Sequence, residues 1–393
     1  MGPHPYKSSE KCGLQIYHLI YSSQARHAIS FSGETEVEMS WDFCGSSVVL
    51  LGAGFSYAAT DGAMPLMKGF FSELTQEAYP DLFSFVRTVG CNRRCPSMAE
   101  ANVEQVLLAF DQMRTAPPKA LSGELATFRG MCDKLRRNFA TYTLNRLNSC
   151  PGWDSENWAV QLLACVSSKT TVVSMNYDNI AESILANRRG MTHQRPTATC
   201  PHCRMRAILQ HACSCSVRHE TVEDLWRGAV LKPHGSIAWK QCINADCCQH
   251  ECLVADEQCR PFEDCNCPYC EEACIPVMIL PTMSKDLSQH PEISVMWQAF
   301  EHAIAEAETL LIFGFSLPAS DELLRQSIRE ACSRGRRLKQ VAAIDLDPTT
   351  VLDRFEDCLP IGYDIERVEL PVVPGEVPIW MPPQLSCSFV SCG

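Results

Sequence analysis

The feature that most constrains this chain is a set of short, wholly apolar runs that stop abruptly at glycine or polar residues. Ser47-Val48-Val49-Leu50-Leu51 runs straight into Gly52-Ala53-Gly54-Phe55-Ser56. TTVVSM at 170–175 ends in Asn176-Tyr177-Asp178, and TLLIF at 309–313 ends in Gly314-Phe315-Ser316-Leu317-Pro318. The run at 341–344 ends in Asp345-Leu346-Asp347. A strand covered on both faces reads as a continuous apolar run, because neither side of its pleat meets water. Two shorter stretches, at 229–231 and 277–280, have the same character. Helical spacing fills much of the rest. Val103, Val106, Leu107 and Phe110 form one apolar stripe. Leu125, Phe128, Cys132, Leu135, Phe139 and Tyr142 form a second, and Pro117-Pro118 separates the two. Asn179 with Glu182 resembles a capping box, and Ser320 is placed to cap a helix from Asp321. Strands alternating with helices predict an α/β fold: a doubly wound, Rossmann-like parallel sheet with a helical insertion over 66–165.

Composition narrows the class further. With 46% hydrophobic and 20% charged residues, the chain is far too apolar to be disordered. Its 393 residues allow two or three units. No apolar run reaches the ~18 residues a membrane helix needs. The first ten residues lack the apolar core of a secretory signal, and Tyr6 stands where a myristoylation signal wants Ser or Thr. A cytoplasmic protein without membrane contact is expected. The net charge of −12 argues against nucleic acid as a partner held by bulk electrostatics.

Thirteen of the 24 cysteines fall between 200 and 274, which points to local metal binding rather than a disulfide framework spread over the whole chain. Cys267-Pro268-Tyr269-Cys270 has knuckle spacing, and so has Cys200-Pro201-His202-Cys203. Cys213 and Cys215 could complete the second set, with His211 or His219 as substitutes. Four thiolates around zinc leave no open position for water, so both sites would be structural. Cys132, Cys165 and Cys332 read as buried small apolar residues on helix faces.

Ligands of open α/β sheets bind beyond the carboxyl ends of the strands, where the glycine and polar turns of this chain lie. Read singly, each turn is ambiguous. Tyr57 stands where a dinucleotide fingerprint wants its third glycine. Asn176 alone reads as a turn residue, and His234 alone as a core histidine.

Four motifs in order change that reading: LLGAGFS at 50–56, MNYD at 175–178, KPHGS at 232–236 and FGFSLPASD at 313–321. Together they resemble the sirtuin-like family of NAD-consuming enzymes, over roughly residues 46–350. The resemblance implies a Rossmann-like large domain, a small zinc module, and NAD bound between them as substrate, with cleavage of its nicotinamide–ribose bond. Gly52, Ala53, Gly54, Phe55 and Ser56, with Gly314, would line the nucleotide. Asn176 would position the ribose or a water, Asp178 would support the nicotinamide side, and Ser316 and Asp345 would meet the adenosine ribose. His234 would be the general base, a role its ordinary pKa near ~6.5 suits. The partner pair for Cys267 and Cys270 would follow the His-Gly-Ser motif, as Cys242 with Cys247, or Cys248 as an alternate.

Three departures separate the chain from the deacetylase branch. Ala63-Met64-Pro65-Leu66-Met67-Lys68 replaces a run ending in Asp-Phe-Arg, Tyr177 replaces a small aliphatic residue, and 276–285 lacks the Phe-Gly-Glu strand. The pattern is closer to divergent members that hydrolyse NAD, often in antiviral defence. These imply a homo-oligomer or a separate sensor or regulatory protein as partner. Lysine deacylation, and a noncatalytic NAD, ADP-ribose or zinc-stabilised interaction module, remain alternatives. The expected division is a leader or edge region at 1–45, the first Rossmann-like part at 46–194, a cysteine-rich module at 195–274, the second Rossmann-like part at 275–365, and a proline-rich tail at 366–393.

Overall fold

The structure, a computed structural model, describes residues 46–66, 69–91, 97–101, 103–115, 125–150, 152–166, 170–189, 198–199, 206–207, 230–242, 244, 246–247, 253–255, 266–267, 269–272, 274–279, 287, 291–318 and 321–381, together with 28–30 and 36–38. The chain divides into two units, Met1–Asp42 and Phe43–Gly393. In the first, β1 (Ala28–Ser30) and β2 (Glu36–Glu38) form an antiparallel ladder.

The second unit is built on a six-stranded, fully parallel sheet. Its strands are β3 (Ser47–Leu51), β4 (Thr171–Ser174), β7 (Val230–Leu231), β11 (Thr309–Phe313), β12 (Gln340–Asp345) and β13 (Glu366–Pro371), in the order β13-β12-β11-β3-β4-β7. The apolar runs are therefore strands, and β3 and β11 sit at the centre, buried on both faces. One face carries Val48, Leu50, Leu310, Ile312, Val341 and Ala343 against three helices: α7 (Pro291–Glu306), α8 (Glu322–Gly335) and α9 (Pro348–Glu356). Ile293, Trp297, Phe300, Ile328 and Phe355 fill that layer. Each such side chain contributes roughly 1.5–3 kcal/mol by leaving water.

On the opposite face Phe313 is the anchor. Phe55, on α1 (Ala53–Ala59), meets it edge-on, and Trp158, on α5 (Trp158–Ala164), stacks on it. Asn157 fixes the entry to α5. Its Oδ1 accepts from Ala159 N at 2.8 Å, while its Nδ2 donates to Ala58 O at 2.8 Å and to Asp61 Oδ1 at 2.7 Å.

The insertion between β3 and β4 is helical, with a core of its own. It contains α2 (Pro80–Val89), α3 (Val103–Thr115) and α4 (Leu125–Asn148). Val103, Val106, Leu107 and Phe110 of the first stripe pack against Leu135, Phe139 and Tyr142 of the second. Tyr142 donates to Phe70 O at 2.8 Å and accepts from Ser72 N at 2.9 Å. Cys132 and Cys332 are buried as expected, whereas Cys165 is only half-buried.

Two expected boundaries move. The sheet does not end at 365: Glu366–Pro371 pairs in parallel register with β12, so the tail begins six residues later than expected. ERVELP escaped the reading because an edge strand needs few apolar residues, and only Leu370 of this one is fully buried. Further along, Trp380 Nε1 donates to Pro371 O at 2.9 Å and its ring meets Trp158 edge-on. The expected module boundary at 274 cuts through β10 (Cys274–Met278). This strand lies antiparallel to β8 (Gly235–Cys242), which also pairs with β9 (Leu253–Ala255). The pairing β5 (Ala198–Thr199) with β6 (Arg206–Ala207) is also antiparallel. No helix among the described residues is long and apolar enough to cross a membrane.

Candidate functional site

The loops after β3, β4, β7 and β11 meet at one end of the sheet, which is where a parallel sheet must present its strand termini. The two glycine-bearing loops interlock. Gly52 N donates to Phe313 O at 3.0 Å, and Gly54 N donates to Gly314 O at 2.8 Å. A Cβ on Gly314, whose φ is +59°, would lie 2.3 Å from Phe55 N. Glycine is needed here so that two backbones can touch. A glycine turn that opens a helix can offer its N–H groups to a diphosphate. In the structure those of Gly52 and Gly54 are taken by the neighbouring loop, and that of Phe55 goes to Gly52 O at 2.9 Å. Phe55 itself is wholly buried.

Asn176, Ser56 and Asp178 form one chain of hydrogen bonds. The Asn176 amide donates to Gly52 O and to Ser56 Oγ, both at 2.8 Å. Ser56 Oγ donates onward to Asp178 Oδ2 at 2.8 Å. Because the serine proton is committed to the carboxylate, Asn176 must turn its NH₂ toward Ser56, which fixes the amide's orientation. Asp178 Oδ1 accepts from Ile180 N at 3.1 Å and so starts α6 (Ile180–Arg189). Glu182 lies in the first turn of this helix. It pairs with Lys232, whose Nζ is 2.8 Å from Glu182 Oε1 and also donates to the Asp178 carbonyl. Lys232 is completely buried, and burial pushes the Glu182 carboxyl above its usual range despite the lysine beside it.

His234 enters from the turn after β7. Its Nδ1 lies 3.2 Å from Met175 O, on the residue before Asn176, and its Nε2 lies 2.8 Å from Asp321 Oδ2. Its backbone is held too, since Ile279 N donates to His234 O at 2.7 Å. Gly235 follows at φ +83°, where a Cβ would come within 2.1 Å of Val277 O. Asp321 escaped the sequence reading, which took it as an acidic first-turn residue of α8. In the structure it is the N-cap, accepting from Leu324 N at 3.2 Å through Oδ1. The only available signal was its place at the end of the FGFSLPASD motif. Tyr177 donates to Ile279 O at 2.8 Å, and burial, with the nearby Asp321 charge, pushes its phenol well up from the usual value.

Ser316, on the loop after β11, and Asp345, the last residue of β12, are not part of this network. Ser316 is exposed and its carbonyl accepts from Arg354 Nη1 at 2.7 Å. Asp345 Oδ1 accepts from Asp347 N at 3.1 Å.

The metal candidates divide cleanly. Cys242, Cys247, Cys267 and Cys270 bring their sulfurs within 4.8 Å of one another, with Cys242–Cys270 at 3.5 Å and Cys247–Cys267 at 3.7 Å. Zinc–sulfur bonds of ~2.3 Å in a tetrahedron put sulfurs ~3.8 Å apart, so the four fit a structural zinc. Glu271 takes φ +62° to close the knuckle, with its N–H on Cys267 O at 2.9 Å. The Glu272 backbone N–H and the neighbouring thiols hold Cys270 down to about 7. Cys200, Cys203, Cys213, Cys215 and the alternate Cys248 lie outside the described residues, as does Ser320.

No protein-family profile and no curated protein matches this chain. Solved structures to which it bears some likeness include one described as giving the basis for the mechanism and regulation of Sir2 enzymes. That structure is 12% identical, with a TM-score of 0.37 over 82% of this chain and 89% of that one. A Sir2 homologue–NAD complex is 12% identical at 0.37 over 83% and 84%. A sirtuin structure concerned with substrate affinity is 14% identical at 0.36 over 76% and 82%.

Proposed function

We propose that this chain consumes NAD, cleaving the nicotinamide–ribose bond to release nicotinamide and ADP-ribose. The observation that carries this reading is the convergence of the motif residues Asn176, Ser56, Asp178 and His234 at one end of a parallel sheet. In the reaction the bond from the ring nitrogen to the ribose breaks and its electron pair stays with nicotinamide, which leaves neutral. A water oxygen then bonds the anomeric carbon, and its proton passes to a base. Asn176 suits the task of orienting the nucleophile, because a neutral amide adds no charge to compete with the cationic sugar. His234 is the residue to take the proton. Zinc on Cys242, Cys247, Cys267 and Cys270 would be structural. Strand β8 runs from Gly235 to Cys242, so a knot at one end braces the histidine turn at the other.

Activity in the cytoplasm within antiviral defence, with a homo-oligomer or a separate sensor protein as partner, extends the same proposal. The decisive experiment is nicotinamide release from purified protein, with and without an acetyl-lysine peptide. Release without peptide is expected, falling ~10²–10⁴-fold in His234→Ala and substantially in Asn176→Ala. Release that requires the peptide and forms acetyl-ADP-ribose would make the chain a deacylase. NAD or ADP-ribose binding without any release would make it a noncatalytic module.

A further inference from the structure

We propose that Asp321 is a positioning residue for His234, fixing the ring between two acceptors so that the pair keeps a proton that must leave before the ring can act as a base. The proposal rests on the reading of His234 as the base. The argument starts from what each neighbour can supply. Met175 O is a carbonyl with no proton to give, so Nδ1, at 3.2 Å, carries the hydrogen of that contact. That leaves Nε2 as the only ring atom able to accept. It faces the Asp321 carboxylate at 2.8 Å, and Asp321 is 0% exposed. An unprotonated Nε2 and an ionised Oδ2 at that distance would set two lone pairs against each other with no water between them. A proton on Nε2 turns the contact into an ion pair and removes the conflict.

Among the described residues, α7 presents the Trp297 ring, with centroids 5.9 Å apart. The loop after β4 presents the Tyr177 hydroxyl, which burial keeps neutral. Lys232, two residues upstream, turns instead to Glu182 and the Asp178 carbonyl. Asp321 is also fixed from its own side, because its other oxygen caps α8 through Leu324 N.

A carboxylate beside a titrating group shifts it by ~1–3 pH units toward the charged form. The histidine should therefore hold its proton to higher pH with Asp321 beside it than without it, and the rate should rise with pH as the proton leaves. Asp321→Asn keeps an oxygen for the helix cap and offers an N–H to Nε2, so the ring stays in place but neutral. Protein labelled with ¹³C-histidine, its His234 resonance identified by loss in His234→Gln, reports the midpoint without any need for activity. The expected result is a fall of at least one pH unit in Asp321→Asn, with recovery toward wild type in Asp321→Glu. The pH–rate midpoint for nicotinamide release should move in parallel. Equal His234 midpoints in wild type and Asp321→Asn would overturn the proposal. If wild type releases no nicotinamide, the NAD reading fails while the resonance still decides the role of Asp321. Should Asp321→Asn not fold, Asp321→Ser retains a cap and removes the charge, and the same criterion applies.

Discussion

Two glycines that both take positive φ isolate what the interlocked loops contribute. Gly314 has φ +59° and Gly362 has φ +75°. Alanine at either position incurs the left-handed penalty of ~1–2 kcal/mol. Nothing lies within 4 Å of a Cβ on Gly362, whereas one on Gly314 would sit 2.3 Å from Phe55 N, 2.4 Å from Gly54 C and 2.5 Å from Gly54 Cα. All three are backbone atoms, so no side chain can rotate out of the way. Gly314→Ala must push the two loops apart, at ~1–3 kcal/mol for overpacking. It should also break the 2.8 Å Gly54–Gly314 hydrogen bond, worth ~0.5–1.5 kcal/mol. The expected excess over Gly362→Ala is therefore about 2–4 kcal/mol. Urea unfolding followed by tryptophan emission measures it, since Trp158 stacks on Phe313 beside the junction. If the two variants unfold within ~0.5 kcal/mol of each other, the close approach of the loops has no energetic weight and the reasoning is wrong.

Metal analysis should find at least one zinc per chain, and Cys267→Ser should lower that by about one while Cys132→Ser leaves it unchanged. For the buried pair, Glu182→Gln strands the Lys232 charge and should cost ~3–5 kcal/mol, while the apolar double variant Lys232→Met with Glu182→Leu should cost less. A double-mutant cycle that finds the two sites additive would contradict this. Burial raises the Tyr142 phenol above its usual value, so the folded chain holds that proton longer than the unfolded one. The resulting stability is fully present below pH ~10 and is lost as pH rises through the folded value. Tyr142→Phe should cost ~1–3 kcal/mol at neutral pH, because Phe70 O and Ser72 N lose their partner, and should flatten the alkaline limb of the stability curve.

How much of this was legible depends on how many faces of an element are buried. The central strands announced themselves because β3 and β11 meet protein on both sides and can afford no polar residue mid-strand. Strand β13 did not, since its edge position tolerates Glu366, Arg367 and Glu369. The antiparallel β8 was hidden for another reason. Its GSIAWKQC carries Lys240 and Gln241, both buried in the structure, and burial of such residues depends on partners remote in sequence. At the candidate site, Asn176 and His234 were singled out through the motifs that carry them. Asp321 and Lys232 were not, because their roles lie in whom they face: an aspartate at a helix start looks the same whether its second oxygen meets water or an imidazole.

Strand order also dictates a schedule for synthesis. In the sheet Ser47 lies opposite Thr309, so the central strand pair cannot close until most of the chain has left the ribosome. The helical insertion has no such wait, because its core among the described residues is drawn from 70–142. A nascent chain can therefore complete that layer while β3 is still without its central neighbour. The glycine interlock at Gly54 and Gly314, and the meeting of His234 with Asp321, come among the last events. A partial product stopped before β11 therefore carries the helical insertion with β3 still lacking its central neighbour and His234 lacking Asp321.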